Sequence, residues 1–207
     1  MAHILHIDSS PRGERSFSRK FSGEFITAWK NAHSGDKVTY RDIGHNTIPH
    51  VDEPWIAAAF TPPDTHTPEL AKAIELSNTL VDEFFAADRY VFGVPMYNFN
   101  IPSTFKAYID QVVRIGRTVA VTEEGGFKGL VEGKKMLIIT ARGGDFSPGS
   151  FAAPYNYQEP YLSAIFGFIG ITDITYINVE NLSGGDEVRQ QSFAKAHEAI
   201  AQAVAGW

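Results

Sequence analysis

The chain has 207 residues, 43% of them hydrophobic and 20% charged, with a formal net charge of −6. That acidic balance argues against a nucleic-acid surface, which needs clustered Lys and Arg. Cysteine is absent, which excludes disulfides, thiolate catalysis, iron–sulfur clusters and Cys-ligated zinc.

From the N-terminus, HILHID (3–8) reads as a first strand. The next stretch, SFSRKFSGEFITAWKNAH, places Phe17, Phe21, Phe25, Ala28 and Trp29 along one helical face. DKVTYRDI (36–43) alternates as a second strand. Residues 44–66, rich in Pro, Asp, Thr and His and interrupted by WIAAAF, read as a long connection of the kind that often carries function. Thr67, Pro68 and Glu69 open a helix with a capping hydroxyl, a first-turn proline and an acid at the positive dipole end. DRYVFGVP (88–95) is a third strand. Pro102 opens a further helix with Phe105, Tyr108, Ile109, Val112 and Val113 on one face. KKMLIITARGG (134–144) is a fourth strand, 160–170 a helix, ITDITYINV (171–179) a fifth strand and 185–205 the last helix. Strands alternating with helices predict an α/β fold, a doubly wound five-stranded parallel sheet with helices on both faces. No composition shift marks a boundary, so residues 1–207 read as one domain. No apolar run reaches membrane-spanning length. The first ten residues hold only a short apolar stretch, too short for a signal-peptide core. The expected setting is the cytoplasm, with no membrane partner.

In such a sheet, ligands sit outside the C-terminal strand ends. The loop 8–18, which ends in SPRGERSFS, carries Ser10, Ser16 and Ser18 beside Arg12 and Arg15. It runs into a helix start, where free N–H groups and the dipole favour a phosphate. Serines at a helix start also serve as plain caps. The loop 95–100, PMYNFN, sets Met96, Tyr97, Asn98 and Phe99 at a strand end, which suits a flat ring with hydrogen-bonding edges; the aromatics could equally be core residues. In TARGGDFSPGS (140–150), Gly143 and Gly144 let the backbone approach a ligand and aim N–H groups at it, or form an ordinary turn. Neither GxxxxGK[ST] nor GxGxxG is present, which excludes a triphosphate P-loop and a dinucleotide fingerprint; GxSxG and HExxH are absent too. The seven histidines show no metal spacing, and His3, His6 and His197 read as structural. The three loops at one sheet edge describe a flavin mononucleotide site.

PMYNFNIP, ITARGG and PYLSAIFGFIGITDI (160–174) resemble segments of the FMN-dependent NADH:quinone oxidoreductases, or FMN-dependent NADH-azoreductases, of the flavodoxin-like fold, over essentially the whole chain. The resemblance implies tightly bound FMN, with NADH or NADPH as co-substrate and a quinone or azo compound as acceptor. It also implies that Ser10, Ser16, Phe17 and Ser18 hold the phosphate. Met96, Tyr97, Asn98, Phe99, Ala141, Arg142, Gly143 and Gly144 would then hold the ring. It implies a homodimer with the flavin near the interface. Trp55, Phe60, Phe127, Phe166 and Phe168 would wall that site. Flavin N5 would carry the hydride in a ping-pong reaction, so no catalytic side chain is assigned. TVAVTEEGG (118–126) and residues 145–151 depart from the family pattern. The competing class is a flavodoxin-type electron carrier acting through a protein partner.

Overall fold

The computed structural model describes residues 1–207. Five parallel strands form the central sheet: β1 (His3–Asp8), β2 (Lys37–Asp42), β3 (Arg89–Pro95), β6 (Lys135–Ala141) and β7 (Asp173–Val179), in the order β2-β1-β3-β6-β7. A separate antiparallel hairpin pairs β4 (Val119–Val121) with β5 (Phe127–Gly129). The helices are α1 (Phe17–Ala32), α2 (Glu53–Phe60), α3 (Pro68–Ala86), α4 (Ser103–Val112), α5 (Gln158–Phe168) and α6 (Asp186–Gly206). The expected doubly wound fold is observed.

Alternation along the central strands sends side chains to two cores. Ile4, Val91, Leu137 and Ile139 meet Phe21, Phe25 and Trp29 of α1 and Phe193 of α6. Leu5, Ile7, Tyr90, Phe92, Met136 and Ile138 meet Phe84 of α3, Phe105 and Tyr108 of α4 and Phe166 of α5 on the opposite face. Side chains that alternate across a sheet must be apolar on both sides when helices cover both. That explains the near-continuous apolar runs in β3 and β6.

One expectation is refined and one needs correction. The long connection 44–66 contains α2, opened by Asp52, whose carboxylate accepts the Trp55 N–H at 2.9 Å. Phe166 is no part of a surface wall, because it is 1% exposed within the core. Phe168, two residues on, is 42% exposed and packs edge-to-face on Phe127 of the hairpin. Residues two apart on a helix lie on nearly opposite faces, so only one of the pair can join the core.

Gly93 lies opposite Asp8 in the β1–β3 pairing. A Cβ there would come 2.3 Å from Asp8 Oδ1 and 3.0 Å from Ser22 Oγ. Gly93→Ala is therefore expected to cost about 2–3 kcal/mol, as overpacking does. Gly23→Ala, where a Cβ in α1 meets nothing within 4 Å, is expected to add up to ~1 kcal/mol. Urea unfolding of the two variants reads both signs.

Candidate functional site

Parallel pairing brings the C-terminal ends of β1, β3, β6 and β7 to one edge of the sheet. A cavity of about 240 Å³ opens there. Its walls are Ser10, Arg12, Ser16 and Phe17 from the first loop, Pro95, Met96 and Tyr97 from the second, and Ala141, Arg142 and Gly143 from the third. Leu182 and Ser183, from the loop after β7, complete it. Eight of the expected site residues thus share one cavity: Ser10, Ser16, Phe17, Met96, Tyr97, Ala141, Arg142 and Gly143. Ser18, Asn98, Phe99 and Gly144 stand next to it in the chain without lining it.

At the first loop, Ser16 caps α1, accepting the Arg19 N–H at 3.4 Å. The hydroxyls of Ser16 and the fully buried Ser18 lie 3.1 Å apart. The backbone N–H groups of Phe17 and Ser18 have no acceptor in the protein, as the first turn of a helix leaves them. Free N–H groups, the Ser10 and Ser16 hydroxyls and Arg12 form a donor set matched to a phosphate.

The second loop is a reversal closed by two hydrogen bonds, Tyr97 N–H to Asn100 O at 2.9 Å and Asn100 N–H to Tyr97 O at 3.0 Å. Its central residues, Asn98 and Phe99, both have positive φ, 47° and 68°. Two consecutive left-handed residues make a type I′ turn. Asn tolerates that conformation, but Phe does so only under strain. Neighbours hold it: Phe99 O accepts the Tyr157 N–H at 3.2 Å, and its ring stacks on Tyr155 and meets Phe146 edge-on. The aromatic load of YNFN thus serves the turn as well as the cavity.

In the third loop the two glycines differ. Neither Gly143 nor Gly144 has positive φ. Gly143 is the close-approach position, since a Cβ there would sit 2.8 Å from Ser183 Oγ, whereas at Gly144 it would make only ordinary contact with Phe146. The N–H groups of both glycines lack a protein acceptor. The Arg142 side chain is fully buried and ion-paired with Glu159 and Glu180, so of this residue only the backbone can face the cavity. Sequence reasoning missed Leu182 and Ser183. The signal available was NLSGG directly after the last strand, at the same sheet edge.

Beneath the first loop lies an ionic network. Arg19 donates through Nε to Ser10 O at 2.7 Å and pairs with both carboxylate oxygens of Asp42. Asp42 also accepts from His45. The buried Asp8 accepts from Ser22 Oγ at 2.7 Å and Tyr40 Oη at 3.1 Å. Burial, then the Asp8 and Asp42 charges, push the Tyr40 phenol up to about 12. It stays a donor through the neutral range.

The chain matches the flavodoxin-like fold family over residues 2–204. It is 68% identical to FMN-dependent NADH:quinone oxidoreductase 2 of Trichormus variabilis, with each chain fully covered. Among solved structures, azoreductase AzrA superposes with a TM-score of 0.91 at 30% identity, over all of both chains. An FMN-dependent NADH-azoreductase of Bacillus anthracis, solved in complex with FMN, superposes with a TM-score of 0.85 at 27% identity, over 98% of this chain and 99% of that one.

Burial opposes ionisation of Asp42, but hydrogen bonds from Arg19 and His45 outweigh it and hold the carboxyl well below its ordinary value of 3.8. A group depressed in the folded state adds stability above its unfolded pKa, and that stability fades as the pH falls below it. Wild type should therefore lose stability steeply below about pH 4. Asp42→Asn should cost about 2 kcal/mol at pH 7, the scale of hydrogen bonds to charged groups, and flatten that acid limb. Denaturant midpoints between pH 3 and 7 check both.

Proposed function

The chain belongs to the FMN-dependent NADH:quinone oxidoreductases of flavodoxin-like fold, and on that premise we propose that it binds FMN in the cavity at the sheet edge and passes two electrons from NADH or NADPH to a quinone or azo compound. The observation that carries this reading is the pairing of two donor sets in one cavity. The α1 start, Ser10, Ser16 and Arg12 suit a phosphate, and the Met96–Tyr97 and Ala141–Gly143 backbones flank a slot for a flat ring.

FMN bound there supplies the redox chemistry, accepting a hydride and delivering two electrons. The protein's part is binding and electrostatics. Ser10, Ser16, Phe17 and Ser18 hold the phosphate through hydroxyls and first-turn N–H groups. Pro95, Met96 and Tyr97, with Ala141 and Gly143, line the ring slot; Asn98 and Phe99 hold the turn that shapes it. The free N–H groups of Gly143 and Gly144 offer fixed donors where negative charge develops, without reorganisation. No side chain is assigned as acid or base. The NAD(P)H and the acceptor use the same mouth in turn, a ping-pong order. No electron carrier of the flavodoxin type is invoked. The chain acts as one domain in the cytoplasm, and no helix is long and apolar enough to cross a membrane.

Denaturing the purified protein should release FMN rather than FAD, as read by chromatography, because no pyrophosphate fingerprint exists. Steady-state rates with NADH and a quinone should give parallel double-reciprocal lines; intersecting lines would count against a shared mouth.

The active form is a homodimer. Phe60, Phe127, Phe151 and Phe168 are 74%, 57%, 93% and 42% exposed. Aromatics exposed to this degree are the kind of surface a second copy of the chain would cover. Sedimentation equilibrium at micromolar protein should report about twice the chain mass. A monomer that turns over both substrates at full rate would refute this assembly.

A further inference from the structure

Arg142 is the largest fully buried side chain in the protein, although Gly143, the next residue, is exposed. Its guanidinium donates through Nε to Gln158 Oε1 at 3.1 Å, through one terminal nitrogen to Glu180 Oε1 at 3.2 Å and through the other to Glu159 Oε1 at 2.6 Å. Each partner reaches onward. Gln158, also fully buried, donates through Nε2 to Val94 O at 3.2 Å, just before the Pro95–Asn100 loop. Glu180 Oε1 accepts the Phe146 N–H at 3.0 Å, and the Phe146 ring braces Phe99. One guanidinium thereby ties together both loops that flank the ring slot. All three of its nitrogens are engaged, and it has no exposed surface with which to touch a ligand.

One positive charge in this cluster stands against two carboxylates, so the cluster is net negative directly behind the loop that supplies the Gly143 and Gly144 donors. Adding negative charge to a ligand held in front of it is opposed, and that opposition depends on the number of charges in the cluster. In a partly buried site, where the effective dielectric is about 20, a unit charge roughly 10 Å away alters such an equilibrium by an order of magnitude.

We propose that Arg142, Glu159 and Glu180 form a positioning cluster that aligns the two ring loops and sets how much more tightly the site holds oxidised than reduced flavin. The proposal rests on the FMN reading given above. Because each member acts through charge, the cluster makes a signed prediction that a merely structural role does not. Glu180→Gln keeps the shape and the Phe146 acceptor but removes one negative charge. Arg142→Gln removes the positive charge and exposes the carboxylates to one another.

The experiment measures, for wild type, Glu180→Gln, Arg142→Gln and Arg142→Lys, the FMN dissociation constant of the apoprotein by fluorescence titration. It also measures the two-electron midpoint potential of the bound flavin by dye equilibration. Glu180→Gln is expected to favour the reduced form about tenfold, a rise of about 30 mV for a two-electron couple. Arg142→Gln is expected to shift the potential the opposite way and to weaken FMN binding at least tenfold. Arg142→Lys, keeping the charge but not the forked geometry, should restore the potential more fully than the affinity. If Arg142→Gln does not fold, Glu180→Gln and Arg142→Lys still decide. No rise in Glu180→Gln, shifts of one sign in all variants, or an Arg142→Lys potential as displaced as the affinity would overturn the proposal. Failure of wild-type apoprotein to bind FMN would instead sink the functional reading itself.

Discussion

Parallel pairing of β1, β3 and β6 is the constraint on which the molecule depends. Parallel strands need a crossover between them, and every crossover returns the chain to the same end. The register sets Asp8 against Gly93 and Pro95 against Ala141, so the first, second and third loops leave the sheet within reach of one another. Helices on both faces then bury all but the first residue of each of these three strands. The cavity is therefore a by-product of topology, and the loops supply its chemistry.

That division of labour explains where strain is found. The sheet and its helices contain no positive-φ residue other than glycine, while Asn98, Phe99 and Asn181 all sit in loops at the cavity edge. A left-handed phenylalanine costs on the order of 1–3 kcal/mol, and it persists because Tyr155, Phe146 and the Tyr157 N–H over-determine its position. Changing the turn residues alone would leave those aromatics without their partner, so the turn and its braces have to be read as one unit.

The fold was legible because its signals are local and periodic. All five strands and the helices flanking them follow from apolar spacing, and the caps at Ser16 and Thr67 match their residue types. The site was legible as three loops because hydroxyls, paired glycines and aromatics at strand ends are unusual there. What escaped was set by contacts distant in sequence. α2 is only eight residues long and buries Ala58 alone, so EPWIAAAF shows no face. Phe166 and Phe168 look alike until the helix phase assigns one to the core. The burial of Arg142 escaped because nothing near it in sequence announces Glu159 and Glu180, which lie 17 and 38 residues away. The loop after β7 closes the cavity through Ser183, yet NLSGG is indistinguishable by composition from a plain turn.

Two cations, Arg19 part-buried and Arg142 fully buried, repeat one solution. Arg19 stands under the first loop, bonded to Ser10 O and locked by Asp42; Arg142 stands under the third, locked by Glu159 and Glu180. Buried ion pairs are poor sources of stability, and apolar replacements of similar volume often do better. An apolar core could fill these spaces but could not dictate where backbone N–H groups point. A guanidinium offers several donors in a fixed plane, so one side chain can hold two or three segments at set angles. The site's free main-chain donors are at Phe17, Ser18, Gly143 and Gly144. Their aim is only as firm as the loops that carry them. Under that requirement, a charge kept out of the ligand's reach is more useful than one that touches it, because it orders the backbone without competing for the same hydrogen bonds.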